Sequence, residues 1–176
     1  MSDRRNFQLL LNNLYIHKMN NFTILNEAEN LDPESKMLMN KAIEALPMAY
    51  APYSKFRVAT ALLLDDGVVV TGTNQENAAY PSGMCAERVA LFTVASQHQG
   101  KKILKLFVLA KLDGEPEIAP ASSCGPCRQV MLEFEERQGT PIEIIMQSQD
   151  YQWVKAPSAA SLLPFCFSNG SLKAKK

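Results

Sequence analysis

The chain has 176 residues, 47% hydrophobic and 20% charged, a composition that suits one soluble globular domain with a substantial core. Eighteen Lys and Arg balance eighteen Asp and Glu, and this neutrality argues against a broad phosphate-binding surface, hence against a nucleic-acid partner. Four cysteines are too few for a disulfide framework, and apolar runs such as LKLFVLAKL are too short to span a membrane.

Residues 1–30 read as an N-terminal extension, a packed arm with a short helix in FQLLLNNLYIHK and a short strand in NFTILNEAE. The first residues lack the hydrophobic region and small-residue cleavage site of a signal peptide, so the expected location is the cytoplasm. The main domain is expected over residues 31–170. It opens at ENLDPE, where Asp32 is placed to cap a helix whose first position is Pro33. Met37, Leu38, Ile43, Leu46 and Pro47 are expected on that helix, which runs toward the stop at Pro52.

KFRVATALLLDDG and VVVTGTN form a hairpin through an Asp-Gly turn. AYPSGM is a loop, and CAERVALFTVASQHQG is a helix with Val89, Leu91, Phe92 and Ala95 as its apolar positions. KILKLFVLAKLDG is a buried strand. CGPCRQVMLEFEERQG is a third helix, tracked by Val130, Met131, Phe134 and Arg137 and ended by Gly139. PIEIIMQS is a strand, residues 151–156 another short one, and PSAASLLPFCF a short helix broken at Pro164. SLKAKK, residues 171–176, is a frayed basic tail. The order predicts an α/β domain, a three-layer α-β-α arrangement around a mixed, about five-stranded sheet.

The segment SSCGPCRQV carries the first chemical signal. Cys124 and Cys127, three apart at a helix start, present sulfurs on one face, and a helix amino terminus favours the thiolate. In a reducing compartment such a pair is a half metal site, a redox couple or two inert residues. Cys85 opens the preceding helix in the same way. Three thiolates from two helix starts, with a fourth tetrahedral position open, would be a catalytic zinc pattern, whereas four protein ligands would be a structural one. Glu87 is then placed to exchange protons with a water acidified at that position, and Arg88 to moderate the charge on the sulfurs. Cys166 has no paired signal and reads as buried or half-buried packing, while His17 and His98 have no neighbouring ligand.

The combination of AYAPYSKFRVATALL, GTNQENAAYPSGMCAER, CGPCRQV and LLPFCF, spread over residues 35–167, resembles the small homotetrameric zinc-dependent cytidine deaminases. Cys85-Ala86-Glu87 with Cys124-Gly125-Pro126-Cys127 is similar to the three-cysteine form of the zinc deaminase signature. The resemblance implies one Zn2+ per subunit on Cys85, Cys124 and Cys127, with Glu87 as proton shuttle. It implies that Phe56 stacks on the pyrimidine, that Asn74 and Glu76 bind the ribose hydroxyls, and that the backbone at Ala86 reads the base edge. Arg88 donates to the sulfurs, Tyr53 and Tyr80 line or brace the sites, and Phe167 reaches a neighbouring subunit. The partner is a free pyrimidine nucleoside rather than nucleic acid or membrane. The implied reaction is hydrolytic deamination of cytidine and 2′-deoxycytidine, in pyrimidine salvage. Deamination of another cytosine nucleoside, such as an aminoglycosyl-nucleoside antibiotic, or a non-enzymatic zinc module are the alternatives.

Two departures from the family pattern stand out. Ser123 replaces the usual proline before the first cysteine of the pair, which loosens the approach to the helix but offers a side chain able to cap. Val58-Ala59-Thr60-Ala61 replaces Val-Gly-Ala-Ala, and the Ala59 methyl is expected to narrow a close contact. Both bear on substrate fit; neither removes a ligand.

Overall fold

The computed structural model describes residues 21–168, so the helix expected in FQLLLNNLYIHK lies outside them, as do His17 and the tail at 171–176. Three helices, α1 (Pro33–Ala45), α2 (Ala86–Gln97) and α3 (Gly125–Gln138), pack on one sheet. Its strands are β1 (Thr23–Leu25), β2 (Phe56–Leu64), β3 (Val69–Thr73), β4 (Ile103–Leu112), β5 (Ile118–Ala119), β6 (Glu143–Gln147) and β7 (Trp153–Ala156). They lie in the order β1-β7-β6-β4-β2-β3, with β5 paired to the end of β4. Only β4 and β6 run parallel, joined through α3 as a parallel pair requires. The sheet therefore has seven described strands where about five were expected. β1 is the short strand expected in NFTILNEAE and joins the sheet beside β7, while β5, of two residues, is too short to carry an alternating pattern.

The sheet is covered on both faces, which explains the nearly continuous apolar run of β2. Ala59, Ala61, Leu63, Phe107 and Leu109 meet α1 on one side. Leu62, Leu64, Leu106, Val108 and Ile144 meet α2 and α3 on the other, completing the three-layer α-β-α arrangement. Ala59 is a fully buried member of the α1-facing layer, so its methyl sits away from the α2 contact.

Asp32 caps α1 by accepting from the Ser35 N–H at 3.0 Å, and Pro33 sits where a missing N–H is harmless. The buried face of α1 steps through Leu38, Ala42 and Ala45, spacings of four and three that leave Ile43 facing solvent, contrary to expectation. The α-helix also ends earlier than expected, passing into a 3-10 turn over Leu46–Met48 around Pro47. Asp32 further accepts from Lys105 and Lys155 at 2.8 and 2.7 Å, tying α1 to β4 and β7.

The packing of α2 is tighter. A Cβ placed on Gly72 would lie 2.5 Å from the Ala90 nitrogen and 2.6 Å from the Ala86 oxygen. Backbone touching backbone needs small residues on the helix, so the inward face is Ala86, Ala90, Leu91 and Val94. Phe92, expected inside, points outward. In α3 the buried positions are Cys127, Met131, Leu132 and Phe134, and Arg137 folds back over the Phe134 ring at 4.8 Å. Gly139 ends α3 at φ 68°. The segment after β7 forms a 3-10 turn, Ala160–Leu162, and Cys166 beyond it is exposed rather than packed, because this end of the chain lies over α3 instead of under it. Among the described residues no helix is long and apolar enough to cross a membrane.

Candidate metal centre and substrate cleft

Both α2 and α3 begin at the carboxyl end of β4, and each is preceded by a cysteine in its N-cap position. Cys85 (φ −72°, ψ 150°) and Cys124 (φ −70°, ψ 164°) are extended, and neither side chain caps its own helix, so both sulfurs are free to turn toward each other. Cys127 comes from the first turn of α3 and is fully buried. The Cys85 and Cys124 sulfurs lie 3.9 Å apart, those of Cys124 and Cys127 3.4 Å apart, and all three within 4.8 Å of one another. Tetrahedral zinc with sulfur ligands at about 2.3 Å places them about 3.8 Å from each other, so this set fits the ion with little movement. Among the described residues, no fourth His, Cys, Asp or Glu joins the cluster. Three soft donors with a fourth position facing a cleft match a zinc site built for reaction.

The surroundings favour thiolate. Two helix amino termini point their free N–H groups at the cluster. The Cys85 thiol is lowered to about 5, chiefly by its hydrogen bond with Cys127 and then by Arg88 and Cys124, against the opposing effect of burial. Arg88, one turn along α2, donates from Nη2 to the Cys85 sulfur at 3.5 Å. Cys127 is pushed the other way, first because it holds the proton shared with Cys85 and then by burial.

Glu87 is the second residue of α2. With Cys85 outside helical geometry, the two share one cleft despite being two apart in sequence. Its carboxyl is only 4% exposed, and burial raises its pKa; the adjacent Cys85 charge raises it further, while its own N–H, Ser123 and Cys127 pull it down. A carboxyl poised in this way takes up and gives back a proton readily.

The cleft in front of these groups has a volume of ≈ 620 Å3. Phe56, at the start of β2, lines it together with Asn74, Glu76, Tyr80 and Ala86. Asn74 spends its amide on the hairpin: Oδ1 accepts from the Val58 N–H at 2.8 Å and Nδ2 donates to the Phe56 carbonyl at 3.0 Å. Each of its polar atoms retains capacity for one further hydrogen bond. Glu76 Oε2 accepts from the backbone N–H groups of Tyr53 and Ser54 at 3.0 and 3.3 Å. The Ser54 hydroxyl and these N–H groups lower the Glu76 pKa against slight desolvation, leaving Oε1 as an ionised acceptor. Arg88 is the one permanent cation among the lining residues, and it is committed to sulfur.

Two expected residues stand back from the cavity. Tyr53 packs its ring edge-on against Tyr80, centroids 6.4 Å apart. Phe167 is exposed, its carbonyl accepting from Gln129 Nε2 at 2.7 Å. The lining also includes Val58, Val108, Met84, Ser122 and Gln149, which sequence reading did not select. Val58 and Val108 were legible as strand residues of known facing, once the register of β2 against β4 pairs Val58 with Ala110 and Thr60 with Val108. Gln149 lies in the turn between β6 and β7 and carries no local signature.

Known proteins resemble this chain in sequence and fold. The family described as the cytidine and deoxycytidylate deaminase zinc-binding region matches residues 33–139. A cytidine deaminase from Sporosarcina psychrophila is 39% identical over 147 residues, 83% of this chain and 95% of the relative. One from Halalkalibacterium halodurans is 43% identical over 101 residues, 57% of this chain and 72% of the relative. Among solved structures, cytidine deaminase from Burkholderia pseudomallei superposes with a TM-score of 0.62 at 36% identity, covering 75% of this chain and 98% of that one. The cysteine cluster lies within the matched region, and the chain belongs to the cytidine and deoxycytidylate deaminase zinc-binding family.

Proposed function

We propose that the protein deaminates cytidine and 2′-deoxycytidine by hydrolysis, giving uridine or 2′-deoxyuridine and ammonia. The observation that carries this reading is the convergence of three cysteine sulfurs and the buried Glu87 on one open cleft. Cys85, Cys124 and Cys127 would hold the zinc, which would supply the Lewis acidity that makes the attacking water acidic near neutral pH. Glu87 takes the proton from the attacking water and delivers it to N3 of the pyrimidine as the new C4–O bond forms. It then takes the proton of the new C4 hydroxyl and passes it to the 4-amino group, so that the C4 carbonyl forms as the C–N bond breaks and ammonia leaves. Arg88 withdraws charge from the Cys85 sulfur and so keeps the centre electrophilic.

The remaining residues bind and orient. Phe56 offers a face for the base, and the backbone at Ala86 offers its N–H to the base edge. Asn74 and the free oxygen of Glu76 serve the ribose hydroxyls. The cleft contains two carboxyls and no uncommitted cation among its lining residues, which favours a nucleoside over a nucleotide bearing a phosphate. Tyr80 and Phe167, 79% and 61% exposed, and Tyr53, in ring contact with Tyr80, are exposed aromatics suited to burial against other copies of the chain. This supports a homotetramer whose sites are completed by neighbouring subunits, acting in cytoplasmic pyrimidine salvage. The catalytic domain is residues 31–170, with residues 1–30 an added arm and 171–176 a tail.

The test is incubation of zinc-loaded protein with cytidine, deoxycytidine and deoxycytidylate, following pyrimidine absorbance and ammonia. One ammonia per uridine formed, with deoxycytidylate at least about a hundredfold poorer, is expected, because a phosphate beside Glu76 loses several charge-assisted contacts. A preference for the nucleotide, or no turnover at one zinc per chain, would overturn the reading.

A further inference from the structure

Two side chains of α3, seven residues apart and so on one face of the helix, grip the 3-10 turn Ala160–Leu162. Glu135 holds its amino end, accepting from the Ala159 N–H at 2.7 Å through Oε2 and from the Ala160 N–H at 3.2 Å through Oε1. Arg128 holds its carboxyl end, donating from Nη1 to the Leu162 carbonyl at 3.3 Å. Leu162 is itself buried in the core cluster that contains Cys127 and Met131, so the turn is a fixed post. From that post the same guanidinium reaches back along the chain, where Nε donates to the Ser123 carbonyl at 2.8 Å.

That carbonyl belongs to the peptide that carries Cys124, and other support there is thin. Ser122 and Ser123 make no backbone–backbone hydrogen bond among the described residues, and the Ser122 hydroxyl reaches the Gln147 carbonyl only at 3.4 Å. Cys124 lies outside helical geometry, with ψ at 164°. Of the three clustered cysteines it is the exposed one, whereas Cys127 is buried in the first turn of α3 and Cys85 is bonded by Arg88. A guanidinium is always charged and presents its donors as a rigid planar fork, so one group holds two carbonyls from different segments in a fixed relation.

We propose that Arg128 is a positioning residue for the metal centre: by bridging the Leu162 and Ser123 carbonyls it fixes the peptide before Cys124, and with it the place of that sulfur. This rests on the reading of Cys124 as a zinc ligand. Groups that orient a ligand without touching the ion contribute about ten- to hundredfold to metal affinity.

The test compares wild type with Arg128→Gln, Arg128→Lys and Gln129→Ala. The last removes the neighbouring hold of α3 on the C-terminal segment, at the Phe167 carbonyl, a bond that does not involve the loop before Cys124. Zinc affinity is read by competition with a chromophoric chelator. Ligand geometry is read from the absorption of the Co2+-loaded protein, whose d–d and sulfur-to-cobalt bands follow tetrahedral thiolate coordination. Arg128→Gln is expected to bind zinc about ten- to hundredfold more weakly and to shift and weaken the cobalt bands. Arg128→Lys, whose single ammonium is no fork, is expected to lose at least about fivefold, and Gln129→Ala to match wild type in both readouts. Wild-type zinc affinity and cobalt bands in Arg128→Gln, even with a lowered Tm, would make Arg128 a general stabiliser and overturn this inference alone. Full rescue by lysine, or an equal loss in Gln129→Ala, would do the same. A wild-type protein without sulfur-to-cobalt bands overturns the reading of the cysteine cluster and this inference with it.

Discussion

Replacing Gly72 with Ala tests whether the metal site depends on how closely α2 lies on the sheet. The added Cβ would meet the Ala90 nitrogen at 2.5 Å and the Ala86 oxygen at 2.6 Å, both backbone atoms with no rotamer to escape through. Ordinary contact begins near 3.4 Å, so α2 must retreat by about 0.9 Å, or β3 must yield by as much. Overpacking of this kind costs about 3 kcal/mol, the upper end for a buried methyl, and lowers Tm by about 6–12 °C for a chain this size. Cys85 is the residue immediately before Ala86, so the retreat is passed to its sulfur. That sulfur now stands 3.9 Å from Cys124, already at the tetrahedral spacing of about 3.8 Å. Half of the retreat exceeds the tolerance of about 0.2 Å on a metal–ligand distance. Zinc affinity, read by competition with a chromophoric chelator, is therefore expected to fall at least about tenfold, and added zinc to recover part of the lost Tm. A Gly72→Ala protein with wild-type zinc affinity and a Tm within about 2 °C would refute the reasoning, since a rigid close contact cannot absorb a methyl for nothing.

Three other outcomes follow from the same packing and electrostatics. Burial opposes ionisation of Asp32, but Lys105, Lys155 and Ser35 together hold its carboxyl far below the usual range. Its folded-state pKa lies below its unfolded value of about 3.9, so its contribution is present above that pH and fades as pH falls through it. Asp32→Ala is expected to lose about 2–3 kcal/mol in urea melts at pH 7 and progressively less below pH 4; an equal loss at pH 7 and pH 2.5 would exclude the assigned cause. Thr60 is fully buried in β2 with an unpartnered hydroxyl, so the isosteric Thr60→Val is expected to gain about 1 kcal/mol in the same assay, and a loss of that size would reveal a missed partner. Because Cys127 retains a proton in the metal-free cluster, zinc binding must expel it. Apparent zinc affinity is expected to fall about tenfold or more per unit of pH lowered from 8 to 6, measured by chelator competition, and a flat profile would mean the thiols are already ionised.

The sequence exposed the ligand set better than its setting. Cys85, Cys124 and Cys127 were legible because each opens a helix, and two adjacent helix starts on one sheet must lie together. Glu87 became legible once Cys85 was placed at the cap rather than in the helix. The helix faces were less so: Phe92 and Ile43 read as core by hydrophobicity, whereas Ala86, Ala90, Ala42 and Ala45 hold those faces because close approach selects size over apolarity. Cys166 read as packing from its LLPFCF context, yet the chain there lies on the surface. Asn74 was legible as a residue of the cleft, but not the bracing of β2 by its amide, which bonds the Val58 N–H and the Phe56 carbonyl. The strand at β1 was legible but its pairing with β7 was not; that pairing and the approach of Gln149 to the cleft join residues far apart in sequence, and β5 is only two residues long, so no local pattern records them. Ser123 was visible as a departure able to cap α3, but it does not cap: its hydroxyl is buried and has no hydrogen-bond partner among the described residues.

The measurement closest to the central claim separates the metal from the proton carrier. Glu87→Gln keeps the shape of the side chain and all three sulfurs but cannot accept a proton. Zinc per chain by atomic emission and cytidine turnover by absorbance are read on the same sample. The account predicts about one zinc per chain with turnover reduced by at least about a thousandfold, since general acid–base exchange contributes 10²–10⁴ and here serves two successive transfers. A variant that turns over within about tenfold of wild type, or one that loses zinc together with activity, would contradict it.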